Sequence, residues 1–305
     1  MLISVHAMHA TLAFPFTPVT WSSVADTSFA LSNINAVHYN QSLDRYVAVA
    51  NSGKIATSTD TQNWVQRVST FEESSVFCVS YGNNLYVAGG SSGKLATSPD
   101  GINWTARSSG FGATPILAVT YSPSASLWIA AGGSGKLATS VDGISWVLRT
   151  SSFGTTYING LWASNSIAVA VGYDGKLATS TNGTTWTQRT SSFATSSIFA
   201  VTATVGGRFF ACGEAGKFAF SDNGTTWTQS FPTSSFGAST VRAVDISPDG
   251  TYIAGGASGK LATSFDGVTW IQRTSGFDTS NINGVYIDNN NGLAVGSAGR
   301  ITYSV

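Results

Sequence analysis

The side chains best able to do chemistry in this chain are basic, and they are periodic. Lys54, Lys94, Lys136, Lys176, Lys217 and Lys260, then Arg300, each follow a Gly, at steps of 40, 42, 40, 41, 43 and 40 residues. A second set, Arg67, Arg107, Arg149, Arg189 and Arg273, stands three residues after a recurring Trp. Together these twelve cations could gather an anionic ligand or partner. Acid–base chemistry has thinner support. Only three Glu occur, and Glu72–Glu73 is the pair that could act together. His6, His9 and His38 could hold a metal or move protons. Adjacent carboxylates in a loop read as a solvated turn, however, and His6 and His9 lie in an irregular N-terminal lead. His38 fills a register held elsewhere by Ser80, Thr120, Trp162, Thr202, Asp245 and Tyr286. No P-loop, nucleophile elbow or zinc signature is present, so no enzyme, metal site or cofactor is expected.

The elements that must carry the cations come from one repeated unit. The Trp series runs Trp21, Trp64, Trp104, Trp146, Trp186, Trp227 and Trp270, which matches the seven Gly-Lys/Arg steps. A period near 40 residues indicates a propeller or solenoid array. Each unit parses into four short strands of alternating branched and small residues, bounded by turn residues, with no helical period. The expectation is an all-β, seven-bladed propeller of four-stranded antiparallel blades.

Residue sizes suit a wedge-shaped blade. Ala stands six residues before the cation in all seven units (Ala48, Ala88, Ala130, Ala170, Ala211, Ala254 and Ala294). Ala also stands two residues after it in six units, with Thr302 the exception. The first strand carries a small residue at one register, from Ala36 and Cys78 round to Gly284. Small side chains belong where blades crowd at the axis, and the Trp fills the gap where they splay. The C-terminal SAGRITYSV and the N-terminal FTPVTWSSVADTSF are complementary parts of one unit. Residues 19–24 are therefore expected to supply the outer strand of the last blade and remove an open edge. Residues 1–305 are read as one domain, with 1–18 a lead.

Lys and Arg total 15, as do Asp and Glu, so net charge gives no pull towards nucleic acid. No apolar run reaches the roughly 20 residues of a membrane span. The opening stretch lacks a basic region and a clean cleavage site, so no cleavable signal is expected. Cys78 and Cys212 replace small apolar residues of other units and read as buried hydrophobes. Charge sorts by face: the cations open the third strand and the Asp or Asn residues close it, roughly 20 Å away. A two-residue turn would set Lys94 directly across from Arg107, and Arg242 would sit beside Asp245. The cations either lay their stems along the blades or form a face that meets anionic sugar, phosphate or an acidic protein.

Between the third and fourth strands runs Ser-x-Asp/Asn-Gly-x-x-Trp, as at Ser98–Trp104 and Ser264–Trp270, with Thr61 in place of Gly in Ser58–Trp64. This resembles the Asp-box of sialidase-type propellers, one residue short before the Gly. The resemblance implies architecture and not chemistry. The wording SGKLATSxDGxxWTQRTSSFG is also similar to propeller modules of bacteriophage tail and virion proteins, and to bacterial propeller lectins. What these resemblances imply is a structural or adhesive module of a phage particle, virion-borne or extracellular. Its partners would be other virion or tail proteins or a host-surface anionic glycan. A free-standing multivalent lectin is the alternative, and a sialidase-like glycan hydrolase a remote one.

Overall fold

A computed structural model of the chain describes residues 20–204, 206–230, 235–288 and 291–304. The whole N-terminal lead, with His6 and His9, lies outside the described residues.

The repeat folds as seven four-stranded antiparallel sheets. Blade 1 takes Ile34–Asn40, Arg45–Ala50, Ile55–Ser58 and Val65–Arg67, from axis to rim. The two Ala columns turn out to be cross-strand partners: Ala48 faces Ala56, Ala88 faces Ala96, and Ala294 faces Thr302. Such pairs keep the middle of each blade thin. At the axis there is less room still. A methyl group on Gly160 would lie 3.1 Å from the Phe199 carbonyl oxygen, and one on Gly284 would lie 3.3 Å from Ala36 Cα, each in the next blade.

Seven apolar cores lie between neighbouring blades. The Trp residues sit in them, with Trp64 and Trp104 only 5% and 8% exposed. Each connector between blades also sinks a Phe into a core (Phe29, Phe71, Phe111, Phe153, Phe193, Phe236 and Phe277, all at most 1% exposed). Cys78 and Cys212 are free and buried.

The last blade closes as the sequence implies. Trp21–Ser23 pairs with Ile301–Ser304, Trp21 opposite Ser304 and Ser23 opposite Thr302. This is the same register in which Val65 faces Thr57 in blade 1. The Trp21 ring lies over Gly292, where a methyl group would come within 2.8 Å of it.

One register differs from expectation. Arg107 faces Leu95, not Lys94. The third and fourth strands are joined by the longer Asp-turn, and Lys94 sits just before its strand, ending the turn Ser91–Gly93. The like-charge pair is thereby avoided.

Candidate functional site at the mouth of the axial channel

The Asp-turns occupy one end of the blades and are wired to themselves. Asp100 Oδ1 accepts from the Ile102 and Asn103 amides at 2.8 and 2.9 Å and from Ser98 Oγ at 2.9 Å. Trp104 Nε1 donates to the Gly101 carbonyl at 3.1 Å, and Gly101 takes φ +74°. Asn182 and Asn223 reproduce the pattern. The Asp142 carboxyl is pulled down to about 2, first by the Ser145 amide, then by the Ile144 amide and the Ser140 hydroxyl. These side chains fold the turn and keep little for a ligand.

At the opposite end stand the periodic cations, each tied to the connector of its own blade. Lys54, Lys94, Lys136, Lys176, Lys217 and Lys260 donate from Nζ to the carbonyls of Phe29, Phe71, Phe111, Phe153, Phe193 and Phe236 at 2.8–3.2 Å. Arg300 donates to the Gly276 carbonyl and pairs with Asp278 at 2.8 Å. Lys94 also pairs with Glu72 at 2.7 Å, which takes Glu72 into an ion pair. Arg67, Arg107, Arg149, Arg189 and Arg273 each donate from Nε to a Thr hydroxyl of the adjoining strand at 2.8–2.9 Å. The ring therefore does structural work at the very atoms that carry its charge. Lys94 and Arg300 nonetheless keep 32% and 37% of their side chains exposed.

The residues that break the repeat lie elsewhere. Each innermost strand carries a bulge near its start, as between Ile34 and Ala36. The extra residue is Asn35, Phe77, Leu117, Asn159, Phe199, Arg242 or Asn283 in successive blades. A bulge re-aims its side chain, and these seven line one axial cavity of about 450 Å³. Three of them brace the ring: Asn35, Asn159 and Asn283 donate from Nδ2 to the carbonyls of Val76, Ile198 and Ile34 in the next blade, at 2.8–3.0 Å.

Arg242 is the one cation among the described residues lining this cavity, which include no carboxylate. Its Nε is buried without a hydrogen-bond partner. Leaving such a group unpaired costs about 1–3 kcal/mol. The expected neighbour, Asp245, does not neutralise it. Asp245 lines a different cavity and accepts from the Ile287 amide of the next blade at 3.0 Å. Desolvation raises the Asp245 carboxyl to about 7. His38, at the same register of blade 1, meets Tyr86 edge-on at 6.3 Å, and burial lowers it to about 4.

Beside the mouth stands an aromatic wall. Tyr157 stacks on Tyr173 (5.4 Å, 18°), and Tyr173 meets Phe199 edge-on at 6.3 Å. Tyr157 and Tyr173 are 37% and 41% exposed. They occupy registers held in blade 2 by Ser75 and Ser91, which make the same backbone bond. The sequence signal for this site is departure from the repeat, whereas the cation ladder marks what does repeat.

No family model matches the chain, and no curated protein does. Several solved structures share its fold. YCF48 from Cyanidioschyzon merolae superposes with a TM-score of 0.73 at 17% identity, covering 93% of this chain and 98% of that one. YCF48 bound to a D1 peptide gives 0.72 at 18%, with 96% of each chain covered. Virginiamycin B lyase from Staphylococcus aureus gives 0.79 at 9%, covering 94% and 99%. At such identities the likeness is one of fold. The expectation of a structural or adhesive phage module is overturned: the similar propellers are YCF48, in one structure bound to a D1 peptide, and virginiamycin B lyase. None of these structures supports the virion, glycan or lectin readings. The wording of the repeat was misleading because it encodes blade geometry, which unrelated functions share.

Proposed function

We propose that this chain is a non-catalytic propeller platform that binds partner proteins at the mouth of its axial channel. The observation that carries the reading is the Tyr157–Tyr173 stack, two large aromatic rings left exposed on one blade at registers filled in blade 2 by Ser75 and Ser91. Exposed, rigid aromatic anchors beside a cavity are the composition of a protein-binding hot spot. A similar propeller, YCF48, is seen bound to a D1 peptide, which supports a peptide as the ligand. The lining chemistry favours binding over turnover. Cys78, the thiol in the cavity wall, is pushed up to about 12 by burial and stays protonated. Lys54, Lys136, Lys176, Lys217 and Lys260, half-buried around this end, add positive charge that draws acidic partners.

The test is a random peptide array read with the full chain and with Tyr157→Ser/Tyr173→Ser. Binding by the full chain that falls about tenfold or more in the double variant supports the reading. Peptide binding that ignores both substitutions, or no peptide binding at all, overturns it.

A further inference from the structure

We infer that Arg242 is the anion-accepting residue of the channel mouth, and that the ligand it takes is a carboxylate carried by a peptide. This rests on the protein-binding reading above and names the chemistry of that site.

The first support is electrostatic. Arg242 puts a positive charge into a cavity whose other described lining residues are neutral, and its buried Nε has no partner there. Asp245, three residues along the same strand, is turned to the next blade and leaves that charge uncompensated. A guanidinium is a planar fork of donors that fits a carboxylate with two parallel hydrogen bonds.

The second support is the rest of the ring. The Asn35, Asn159 and Asn283 amides have used an Nδ2 donor on the channel wall. What they still offer a guest is their Oδ1 acceptors and, on Asn159 and Asn283, a second Nδ2–H, which suit the N–H and C=O groups of a peptide backbone. Phe77, Leu117 and Phe199 supply apolar surface to a side chain next to the carboxylate. Phe199 belongs to the blade beside Arg242 and continues outward through Tyr173 to Tyr157. A peptide that places a carboxylate on Arg242 can therefore lay an apolar residue along the aromatic wall. Its volume, about 450 Å³, is in the range of small-ligand sites and admits a peptide end or one protruding segment.

The carboxylate could be a chain terminus or an Asp or Glu side chain, and one experiment separates them. A peptide array is built in three arms: free C-terminal acids lacking Asp and Glu, C-terminal amides containing Asp or Glu, and C-terminal amides without either. Full-length wild type, Arg242→Gln and Arg242→Lys are read against all three, with melting temperatures as the folding control. At least one acid-bearing arm is expected to bind about tenfold or more above the neutral arm, with added salt weakening it. The arm that wins identifies the source. Arg242→Gln should erase the preference while keeping the fold, and Arg242→Lys should retain part of it. Equal binding in all arms, or a preference that survives Arg242→Gln, overturns the inference. If neutral peptides still bind and still need Tyr157 and Tyr173, the protein-binding reading survives that result; silence in every arm sinks both.

Discussion

Thr27 Oγ1 donates a hydrogen bond to the carbonyl of Gly299 at 2.6 Å, across 272 positions of sequence. The same bond is local in other blades: Ser109 reaches Gly93, Ser191 reaches Gly175 and Ser275 reaches Gly259, each 16 residues back. Thr27 thus does for the closing blade what a connector serine does elsewhere, and the two chain ends form one repeat in space. Deleting residues 1–24 removes the strand Trp21–Ser23 and bares an edge, so the product should aggregate or melt well below the full chain. Thr27→Val should cost about 1–2 kcal/mol in urea denaturation, because the Gly299 carbonyl loses its partner. An unchanged melting temperature in the deletion would mean that the ring does not depend on this closure.

The lysine ladder should register in stability. Lys136→Met removes the 2.8 Å bond to the Phe111 carbonyl and leaves a connector loose above a fully buried ring. The expected loss is about 1 kcal/mol, below the roughly 1.5–3 kcal/mol of a buried charged hydrogen bond because the amine is part-exposed. A variant as stable as wild type would show that the connector is held by Phe111 alone.

Acid should loosen the Asp-turns. Asp142 is held at about 2 in the folded chain against an ordinary 3.8, so its contribution is complete above pH 4 and is lost as pH falls towards 2. Asp142→Asn, which copies the natural Asn182 turn, should leave neutral stability close to wild type and shallow the acid limb. Denaturant midpoints between pH 2 and 6 check this; an unchanged acid slope would exclude Asp142 as a contributor.

Asp245 predicts the opposite slope. Its folded value of about 7 exceeds the unfolded 3.8, so the folded chain holds a proton that the unfolded chain releases. That term favours the fold below pH 4 and is lost as pH rises to 7. Asp245→Asn keeps an acceptor for the Ile287 amide and removes the charge. The variant should melt higher than wild type at pH 8 and no higher at pH 4. Equal melting temperatures at pH 8 would mean that water reaches this carboxylate.

The architecture is legible in the chain, because periodicity is local information repeated. The Ala columns, the Trp series, the Asp-turn and the split unit at the chain ends each state a blade's needs within about 40 residues. From them the strand count, the thin blade centres and the closing strand Trp21–Ser23 all follow. Where different blades meet is legible only in the folded ring. Lys94 reads as a free cation until its amine is seen on the Phe71 carbonyl and Glu72. Arg242 and Asp245 read as a pair until a bulge turns Arg242 into the channel while Asp245 binds the next blade. Nothing in one repeat marks a bulge, since it arises from strand pairing, and nothing marks the mouth, since seven chain segments far apart in sequence build it. The functional residues are those at which the units differ, and only ring closure brings those differences to one place.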